Sequence, residues 1–459
     1  MLPANSSATG MRAIILAAGS DGDIHPHLGL ASALAARGHE VLFLTSFDYL
    51  DLVRSCGFDA ASIIDPHDQD DFQSVEGLGP IGKARSRCRF FARKVAAICA
   101  SVSARLDDRS ILIAPPFAWP LAKLLHLTCG VPYISTVLSP PSLCSLRNPP
   151  AFRSGEWFSR LPWPARKALF RGLEYFLVDP VFRWLLKDLL RTMQLPAPRR
   201  VISQWSHSPQ RMLGLFSDWF CPKAEDWPPQ LMLTSFPLFH PHAATEELSA
   251  SLRRFLDAGA PPVVFTAGTE TRTVRSFFEI ALRGVQTLGL RAVFLTRLAG
   301  QLPSLPDTIH YENYSSLHLL LPRAAAIVHH GGIGTTAQAF HAGIPQLLLP
   351  GRLDQFDNAR HVERLGCGLV EKNLRDSRGA TARLRSLLHS VDIADTSRAL
   401  RHHMVPGHEA CSRAAELIEE TWHGARTDQG TGSQDLRLSR GLGMAGGTAR
   451  PRQSCPPVP

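Results

Sequence analysis

Residues 324–358, AAAIVHHGGIGTTAQAFHAGIPQLLLPGRLDQFDN, decide the fold of this chain. The apolar residues 324–328 predict a buried strand, and the glycine-rich turn at 331–336 opens a helix directly after it. A Gly-Ile-Pro sequence at 343–345 ends that helix, and the apolar run 346–349 predicts a second buried strand. Strand, turn, helix and strand in this order are typical of a parallel α/β sheet.

The turn at Gly331–Thr336 is suited to hold an anion. The first backbone N–H groups of a helix have no intrahelical partner, and together with the helix dipole they favour a phosphate. Asp354 and Gln355 follow the second strand, and ligands of open α/β sheets bind at the carboxyl ends of strands. The residues alone therefore predict a diphosphate at the turn, with Asp354 and Gln355 binding a hydroxyl-rich group attached to it.

The same alternation opens the chain. Residues 12–18 (RAIILAA) predict a buried strand, 19–23 a turn, 24–37 an amphipathic helix and 40–45 the next strand. A second alternating unit begins with a strand at 263–266. The fold class is therefore predicted to be α/β, with two facing, doubly wound, Rossmann-like domains and a cleft between them.

The domain limits follow from the same pattern. We expect an N-terminal domain at 11–235, a proline-stiffened linker at 236–250 and a C-terminal domain at 251–405. A C-terminal helix is expected at 406–424 and a disordered tail at 425–459, because the tail is rich in Gly, Arg, Ser and Pro.

Residues 139–198 interrupt the alternation with a stretch rich in Pro, Trp, Phe, Arg and Leu. Two amphipathic helices with a break near Pro180 are predicted there. They are interpreted as cover for the sheet, as the wall of an apolar acceptor pocket, or as a surface resting on a membrane.

Composition limits the function classes. The 459 residues carry 49 basic and 40 acidic side chains in mixed order, a net charge of +9, and no nucleic-acid-binding motif. The excess of basic residues indicates a solvated basic surface, or attraction to anionic substrates or an anionic membrane. The nine cysteines form no Cys-x-x-Cys pair, and residues 1–10 lack a signal-peptide pattern, so a cytoplasmic protein is expected, with Met11 as an alternative start.

Five motifs resemble a known family: GSDGDIHP at 19–26, LAARGHEV at 34–41, HHGGIGTT at 329–336, GIPQ at 343–346 and DQFDNA at 354–359. Their combination resembles the GT-B nucleotide-sugar glycosyltransferases of family 1, in the bacterial branch with macrolide, glycopeptide and sterol glycosyltransferases. The resemblance covers about residues 11–424.

The resemblance implies roles for individual residues. The diphosphate of the donor would be bound by Ser20, Gly268, Thr269, His329, Gly331, Gly332, Gly334 and Thr335. Tyr314 would stack on the nucleotide base, with a core tyrosine as the alternative. Asp354, Gln355 and Asn358 would bind the sugar.

An inverting transfer also needs a general base near the acceptor hydroxyl. Asp23 occupies the family position of this base. Its alternative role is to cap the helix that follows, and His25 is the rival base. The plant members' orienting aspartate has no counterpart at 114–117 (APPF), so a His–Asp dyad is not expected. Helix dipole and His329 would stabilise the leaving diphosphate, so neither a metal nor a cofactor is expected beyond the dTDP- or UDP-linked sugar.

Two segments narrow the resemblance further. The resemblance is to the rhamnosyltransferase subunit of rhamnolipid synthesis. It lies in residues 204–210 (QWSHSPQ) and in residues 226–239, which begin with DWP and end with FPLF. This implies rhamnose or glucose as the sugar, an apolar, lipid-like hydroxylated acceptor, and either a partner subunit or peripheral contact with the inner face of the membrane. Fold alone does not fix the acceptor.

Three other interpretations stay open. A macrolide- or sterol-type glycosyltransferase would share every motif. A non-hydrolysing sugar-nucleotide epimerase shares the fold but needs no apolar acceptor region, and a non-catalytic nucleotide-sugar-binding partner would need no base. An NAD enzyme is disfavoured, because neither turn completes Gly-x-Gly-x-x-Gly with a following acid.

Overall fold

A computed structural model describes residues 10–63, 94–151, 156–241, 246–268, 274–351, 354–373 and 376–440. The first domain contains a seven-stranded parallel sheet in the order β3-β2-β1-β4-β5-β6-β7. Its strands are β1 Arg12–Leu16, β2 Glu40–Thr45, β3 Asp59–Ser62, β4 Ser110–Ala114, β5 Tyr133–Val137, β6 Arg211–Gly214 and β7 Leu231–Leu233.

The second domain contains a six-stranded parallel sheet in the order β10-β9-β8-β11-β12-β13. Its strands are β8 Val263–Thr266, β9 Ala292–Leu295, β10 Ile309–Glu312, β11 Ala326–His329, β12 Gln346–Leu348 and β13 Gly368–Val370. The predicted α/β class with two parallel sheets is confirmed. The central strands are continuous apolar runs because helices cover both faces of each sheet.

The helices alternate with the strands. In chain order they are α1 Asp21–Ala36, α2 Leu50–Ser55, α3 at 94–103, α4 Trp119–Cys129, α5 Glu156–Arg160, α6 Trp163–Leu173, α7 Asp179–Leu185, α8 Lys187–Thr192, α9 Ala250–Asp257, α10 Val274–Leu288, α11 Leu317–Leu320, α12 Ile333–Ala342, α13 Gln355–Arg364, α14 Ser377–His389, α15 Val391–Arg401 and α16 Gly407–Arg440. Within the described ranges, no helix has both the length and the apolar character needed to cross a membrane.

Helix α1 begins earlier than predicted. The sequence suggested a start at Ile24 with Asp23 as the capping residue, whereas the helix starts at Asp21 and Ser20 is its N-cap. Asp23 is the third helical residue, and its Oδ2 atom accepts hydrogen bonds from the Ser20 N–H at 2.8 Å and the Ser20 hydroxyl at 2.9 Å. This reciprocal arrangement extends the helix by one turn toward β1.

The predicted pair of helices at 139–198 is instead a series of shorter ones. Helices α6 and α7 are joined by a π-helical turn, Glu174–Val178, so residues 163–185 form one helical rod. The wide turn lies directly before Pro180, where a regular α-helix would be broken by the missing N–H and by the proline ring.

Helix α16 crosses from the second domain back onto the first. Its buried apolar residues, among them Ala414, Leu417 and Ile418, join the core formed by α1 and the first sheet. Gly29 allows this approach, because a Cβ atom there would lie 2.9 Å from the Sγ atom of Cys411. The two domains are therefore tied together by the end of the chain as well as by the linker.

The helix also continues beyond the predicted limit. Residues 425–440 were expected to be disordered, but α16 extends to Arg440, while 441–459 lie outside the described residues. Arg426 lies over the Trp422 ring at 4.9 Å and donates to the Asp108 carbonyl at 3.2 Å. Extending an existing helix needs no new nucleus, so a composition that would not start a helix can still prolong one.

Replacing Glu419 with Gln is expected to loosen α16 from α1. The hydrogen bond from Arg37, aided by one from His39, lowers the pKa of Glu419 from 4.5 to about 2. A carboxyl group whose pKa is lower in the folded protein than in the unfolded chain stabilises the fold at pH values above its unfolded-state pKa of 4.5. This contribution is lost as the pH falls from 4.5 toward 2. Denaturant unfolding should show a loss of about 1 kcal/mol at pH 7, and a smaller difference at acidic pH.

The matched control is Glu416→Gln, because the Glu416 carboxylate lies 3.9 Å from Arg37 rather than 2.8 Å. An equal loss of stability in both variants would contradict a specific role for Glu419.

Candidate active site

The carboxyl ends of the two sheets face each other across the cleft. Asp21 at the start of α1 forms an ion pair with Arg297, which follows β9, at 3.4 Å. Ser139, which follows β5, donates its hydroxyl to the Oδ1 atom of Asn358 in α13 at 3.0 Å. The loops in which ligands of parallel sheets bind therefore meet at one place.

Asp23 is held rigidly on the first-domain side of the cleft. Both hydrogen bonds to its carboxylate go to Oδ2, and Oδ1 has no partner among the described residues. The buried His27 fixes the backbone beneath it: its Nδ1 atom donates to the Asp23 carbonyl at 2.6 Å, and its Nε2 atom accepts from the Thr136 hydroxyl at 2.9 Å. Asp23 thus presents one free carboxylate oxygen from a fixed position.

His25 points toward the other end of the cleft. Burial lowers its pKa, the charge of Asp21 opposes this shift, and the charge of Arg297 adds to it. Asp21 is also bound by the hydroxyl of Tyr49 at 2.8 Å. His25 is therefore a neutral imidazole beside the Asp21–Arg297 ion pair.

The glycine turn of the second domain has the geometry of an anion site. Gly331 has φ +90°, and a Cβ atom there would lie 3.0 Å from the Gln355 carbonyl, so the turn passes closely over the start of α13. Helix α12 begins just after Gly332, which has no side chain to cap it. A Cβ atom on Gly334 would meet no other atom of the described residues within 4 Å, and Thr335 is partly exposed. The free N–H groups of the first turn thus face the cleft.

His329 does not face this site, and its predicted contact with the diphosphate is corrected here. The side chain is 0% exposed. Its Nδ1 atom accepts from the Gly331 N–H at 3.2 Å and its Nε2 atom donates to Gln346 Oε1 at 3.0 Å, so both ring nitrogens are occupied. His329 instead shapes the turn from inside the sheet.

His330 is a functional candidate that the sequence did not reveal. It is the first residue after β11 and lies between the two glycine turns, because a Cβ atom on Gly268 would clash with its ring and one on Gly332 would lie 2.6 Å from its Nε2 atom. Burial lowers the pKa of His330 to about 4, and an interaction with the Thr266 backbone opposes this shift, while the buried Nδ1 atom meets the geometric criteria for no hydrogen bond in the described part of the chain. A neutral imidazole with spare bonding capacity is suited to donate to an anion.

Gly268 forms the second turn, after β8. Its φ of +71° and the nearby His330 ring both require glycine. Thr269, predicted to bind phosphate with Gly268, lies outside the described residues.

Tyr314 lies in the cleft rather than in the core. Its side chain is 50% exposed, its hydroxyl donates to Glu246 Oε1 at 3.0 Å, and Arg297 lies 5.9 Å from the ring centroid. Burial of the hydroxyl and the charge of Glu246 raise the pKa of Tyr314 to about 12. The alternative of a core tyrosine is wrong. Glu246, in the predicted linker, and Arg297 were not predicted.

Asp354 and Gln355 lie at the start of α13, both partly exposed. Burial raises the pKa of Asp354, a hydrogen bond from Asn358 opposes the shift, and the negative charge of Asp23 adds to it. Gln355 Oε1 accepts from the Gly351 N–H at 2.9 Å, which fixes the loop after β12.

Asn358 has a positioning role, which differs from the predicted sugar contact. Its side chain is 0% exposed. Its Nδ2 atom donates to the Gly331 carbonyl at 3.0 Å and to Asp354 Oδ2 at 3.1 Å, while Oδ1 accepts from Ser139. One buried amide therefore joins the glycine turn, Asp354 and the first domain.

Comparisons with known proteins find similar chains. Residues 292–418 match the family described as "Erythromycin biosynthesis protein CIII-like, C-terminal domain". The chain is 27% identical over 438 residues to O-mycaminosyltylonolide 6-deoxyallosyltransferase of Streptomyces fradiae, covering 91% of this chain and 99% of that protein. It is 25% identical over 397 residues to sterol 3-beta-glucosyltransferase of Aspergillus fumigatus, covering 81% of this chain but 27% of that longer protein.

Solved structures show the same architecture. The calicheamicin glycosyltransferase CalG4 superposes with a TM-score of 0.68 at 19% identity, covering 90% of this chain and 98% of that one. The spinosyn rhamnosyltransferase SpnG, solved with thymidine diphosphate, superposes with a TM-score of 0.57 at 21% identity, covering 88% of this chain and 100% of that one. The fold is that of the GT-B sugar-transferring enzymes. By its similarity to these enzymes over most of its length, the chain is a glycosyltransferase.

Replacing Asn358 with Ala should destabilise the protein strongly. The change removes three hydrogen bonds and leaves the Gly331 carbonyl and the Ser139 hydroxyl without their partner in a buried place. We expect a loss of about 2–3 kcal/mol, measured as a lower midpoint of thermal unfolding. The control is Asn373→Ala, since that side chain is exposed. Equal midpoints for the two variants would contradict the positioning role.

Proposed function

We propose that this enzyme is an inverting glycosyltransferase that moves a hexose, rhamnose or glucose, from a dTDP- or UDP-linked donor to a hydroxyl of an apolar, lipid-like acceptor. The observation that carries the proposal is that Asp23 and Asp354 follow the carboxyl ends of β1 and β12, on the two sheet edges that the Ser139–Asn358 hydrogen bond joins. The first belongs to the fixed first turn of α1, and the second borders the anion site at the start of α12.

The donor binds to the second domain. The free N–H groups of Gly334 and Thr335 and the imidazole of His330 bind the diphosphate. The nucleotide base stacks on the exposed ring of Tyr314, where Arg297 is within reach. Asp354 and Gln355 then lie beside the sugar, because they follow the neighbouring strand β12.

The acceptor binds to the first domain, near Asp23. Its hydroxyl oxygen attacks the anomeric carbon while the bond from that carbon to the diphosphate oxygen breaks, and the hydroxyl proton passes to the free Oδ1 atom of Asp23. The negative charge that develops on the diphosphate is stabilised by the N-terminus of α12 and by His330. Attack from the side opposite the leaving group inverts the anomeric configuration.

An apolar acceptor is supported by the surfaces around the cleft. Phe117, which follows β4 at the same sheet edge, is 48% exposed, and the helices at 156–192 expose further aromatic residues. The relatives' names include macrolide- and sterol-modifying enzymes, and a rhamnosyltransferase is among the structural neighbours. These names also support a macrolide- or sterol-type acceptor as the second candidate. A hydroxyalkanoyloxy-alkanoate acceptor is favoured instead by the resemblance of residues 204–210 and 226–239 to the rhamnosyltransferase subunit of rhamnolipid synthesis.

The test is an assay of purified protein with dTDP-rhamnose or UDP-glucose and a panel of hydroxyalkanoyloxy-alkanoate, sterol and macrolide acceptors. Release of nucleoside diphosphate and the mass of each acceptor are measured. We expect Asp23→Asn to lower kcat by roughly 10²–10⁴-fold, because the amide cannot take the proton, while donor affinity stays within about twofold. The Asn oxygen can still accept from Ser20, so the helix start should be retained.

The matched control is Asp21→Asn, a neighbouring carboxylate of the same turn that is bound by Tyr49 and Arg297. If the Asp23→Asn variant retains turnover and the His25→Gln variant loses it, then His25 is the general base. Tight donor binding without transfer to any acceptor would favour a non-catalytic binding partner.

Replacing His330 with Ala is expected to weaken the binding of dTDP or UDP about tenfold, since a donor to the diphosphate is lost. Calorimetric titration measures the affinity, and thermal unfolding checks the fold. His329→Ala is the comparison: it should lower the unfolding midpoint, because it removes buried hydrogen bonds to Gly331 and Gln346. Unchanged nucleotide affinity in His330→Ala would contradict its place in the site.

A further inference from the structure

The helical rod at 163–185 exposes an apolar face to solvent. Leu169, Leu173, Leu177, Val181 and Trp184 recur at intervals of three or four residues and are all exposed. This spacing places them on one side of a helix. Trp157, Tyr175 and Phe176 lie alongside, and Phe176 is 78% exposed. These eight residues are called the apolar face below.

The opposite side of the rod is fixed to the domain. The buried Glu174 carboxylate accepts from the N–H and hydroxyl of Ser203, each at 2.8 Å. The buried Asp179 carboxylate accepts from the N–H groups of Arg200 and Val201 at 2.9 and 3.1 Å. Since these bonds hold the rod in one rotation about its axis, the apolar face cannot turn inward.

The charges around the apolar face are mainly basic. Between residues 156 and 200 there are nine basic and four acidic residues. Two of the four acids, Glu174 and Asp179, are buried in the contacts just described. Exposed basic residues flank the face, among them Arg171, Lys187 and Arg191. The outward charge is therefore more positive than the sequence count suggests.

We propose that the apolar face docks on an anionic lipid bilayer. Trp and Tyr favour the level of lipid headgroups, and Arg and Lys can contact the headgroups while apolar side chains enter the acyl region. Each basic residue near an anionic surface raises affinity about fivefold. A convex rod with aromatic tips and a basic border fits a lipid surface better than the concave site of a protein partner.

The docking would also place the enzyme near apolar molecules. A depression at the edge of the apolar face is lined by Val95, Ala96, Trp184, Leu185 and Leu189 together with the charged Lys187 and Asp188. Docking itself does not depend on the proposed transfer reaction, so its test measures binding rather than turnover.

The test is flotation of the full chain with vesicles of phosphatidylcholine, with or without phosphatidylglycerol. We expect binding to the anionic vesicles, weakened by salt. The double variant Phe176→Ser, Trp184→Ser should bind at least about tenfold more weakly, because it removes two large apolar side chains from the face. Arg171→Glu, Lys187→Glu should lose binding to the anionic vesicles as well.

The matched control is Val391→Ser, a 69% exposed apolar residue on α15 of the second domain, which should bind like the unaltered protein. Nucleotide affinity and the unfolding midpoint verify that each variant is folded. Absence of flotation, or equal binding to neutral vesicles and to anionic ones, would overturn the proposal. The proposal would also be overturned if sedimentation showed a dimer that the Phe176→Ser, Trp184→Ser variant abolishes. A second copy of the chain, rather than a bilayer, would then cover the apolar face.

Discussion

The site depends on the buried amide of Asn358. Its nitrogen binds the Gly331 carbonyl and the Asp354 carboxylate, and its oxygen binds the Ser139 hydroxyl of the other domain. An amide can do this because it carries donors and an acceptor on one small rigid group. A carboxylate at the same place would have no proton to donate to the Gly331 carbonyl or to the Asp354 carboxylate. The glycine turn at Gly331, the Asp354 carboxylate and the contact with Ser139 of the first domain therefore all depend on the Asn358 amide.

The second constraint is charge within the cleft. Asp23 and Asp354 carry the same sign and face each other, which raises the pKa of Asp354 beyond the effect of burial. The histidines nearby are neutral, because burial lowers the pKa of His25, His27 and His330. The proposed diphosphate site therefore relies on the oriented N–H groups of α12 rather than on these histidines as cations.

Much of this arrangement could be predicted from the sequence, since apolar runs, glycine turns and strand-end positions obey local rules. The parallel sheets and the strand-end positions of Asp23 and Asp354 followed from those rules, whereas Tyr314 was proposed from the family resemblance, with a core tyrosine as the alternative. The choice between His329 and His330 did not, because two adjacent histidines look alike until the strand end is known. His329 is the last residue of β11 and turns into the core. Glu246 comes from the linker, whose path depends on tertiary contacts that leave no local pattern.

The two ends of the cleft are closed by contacts of unequal strength. At the α13 end, the Ser139–Asn358 bond is buried and the bond from the Ala151 N–H to the buried Asp357 carboxylate at 2.9 Å is partly buried, so breaking either leaves a buried polar group unsatisfied. At the other end the Asp21–Arg297 pair joins side chains that are 28% and 56% exposed, and such a pair contributes about 0–1 kcal/mol. Separation of the domains therefore costs least at Arg297, which lies beside Tyr314.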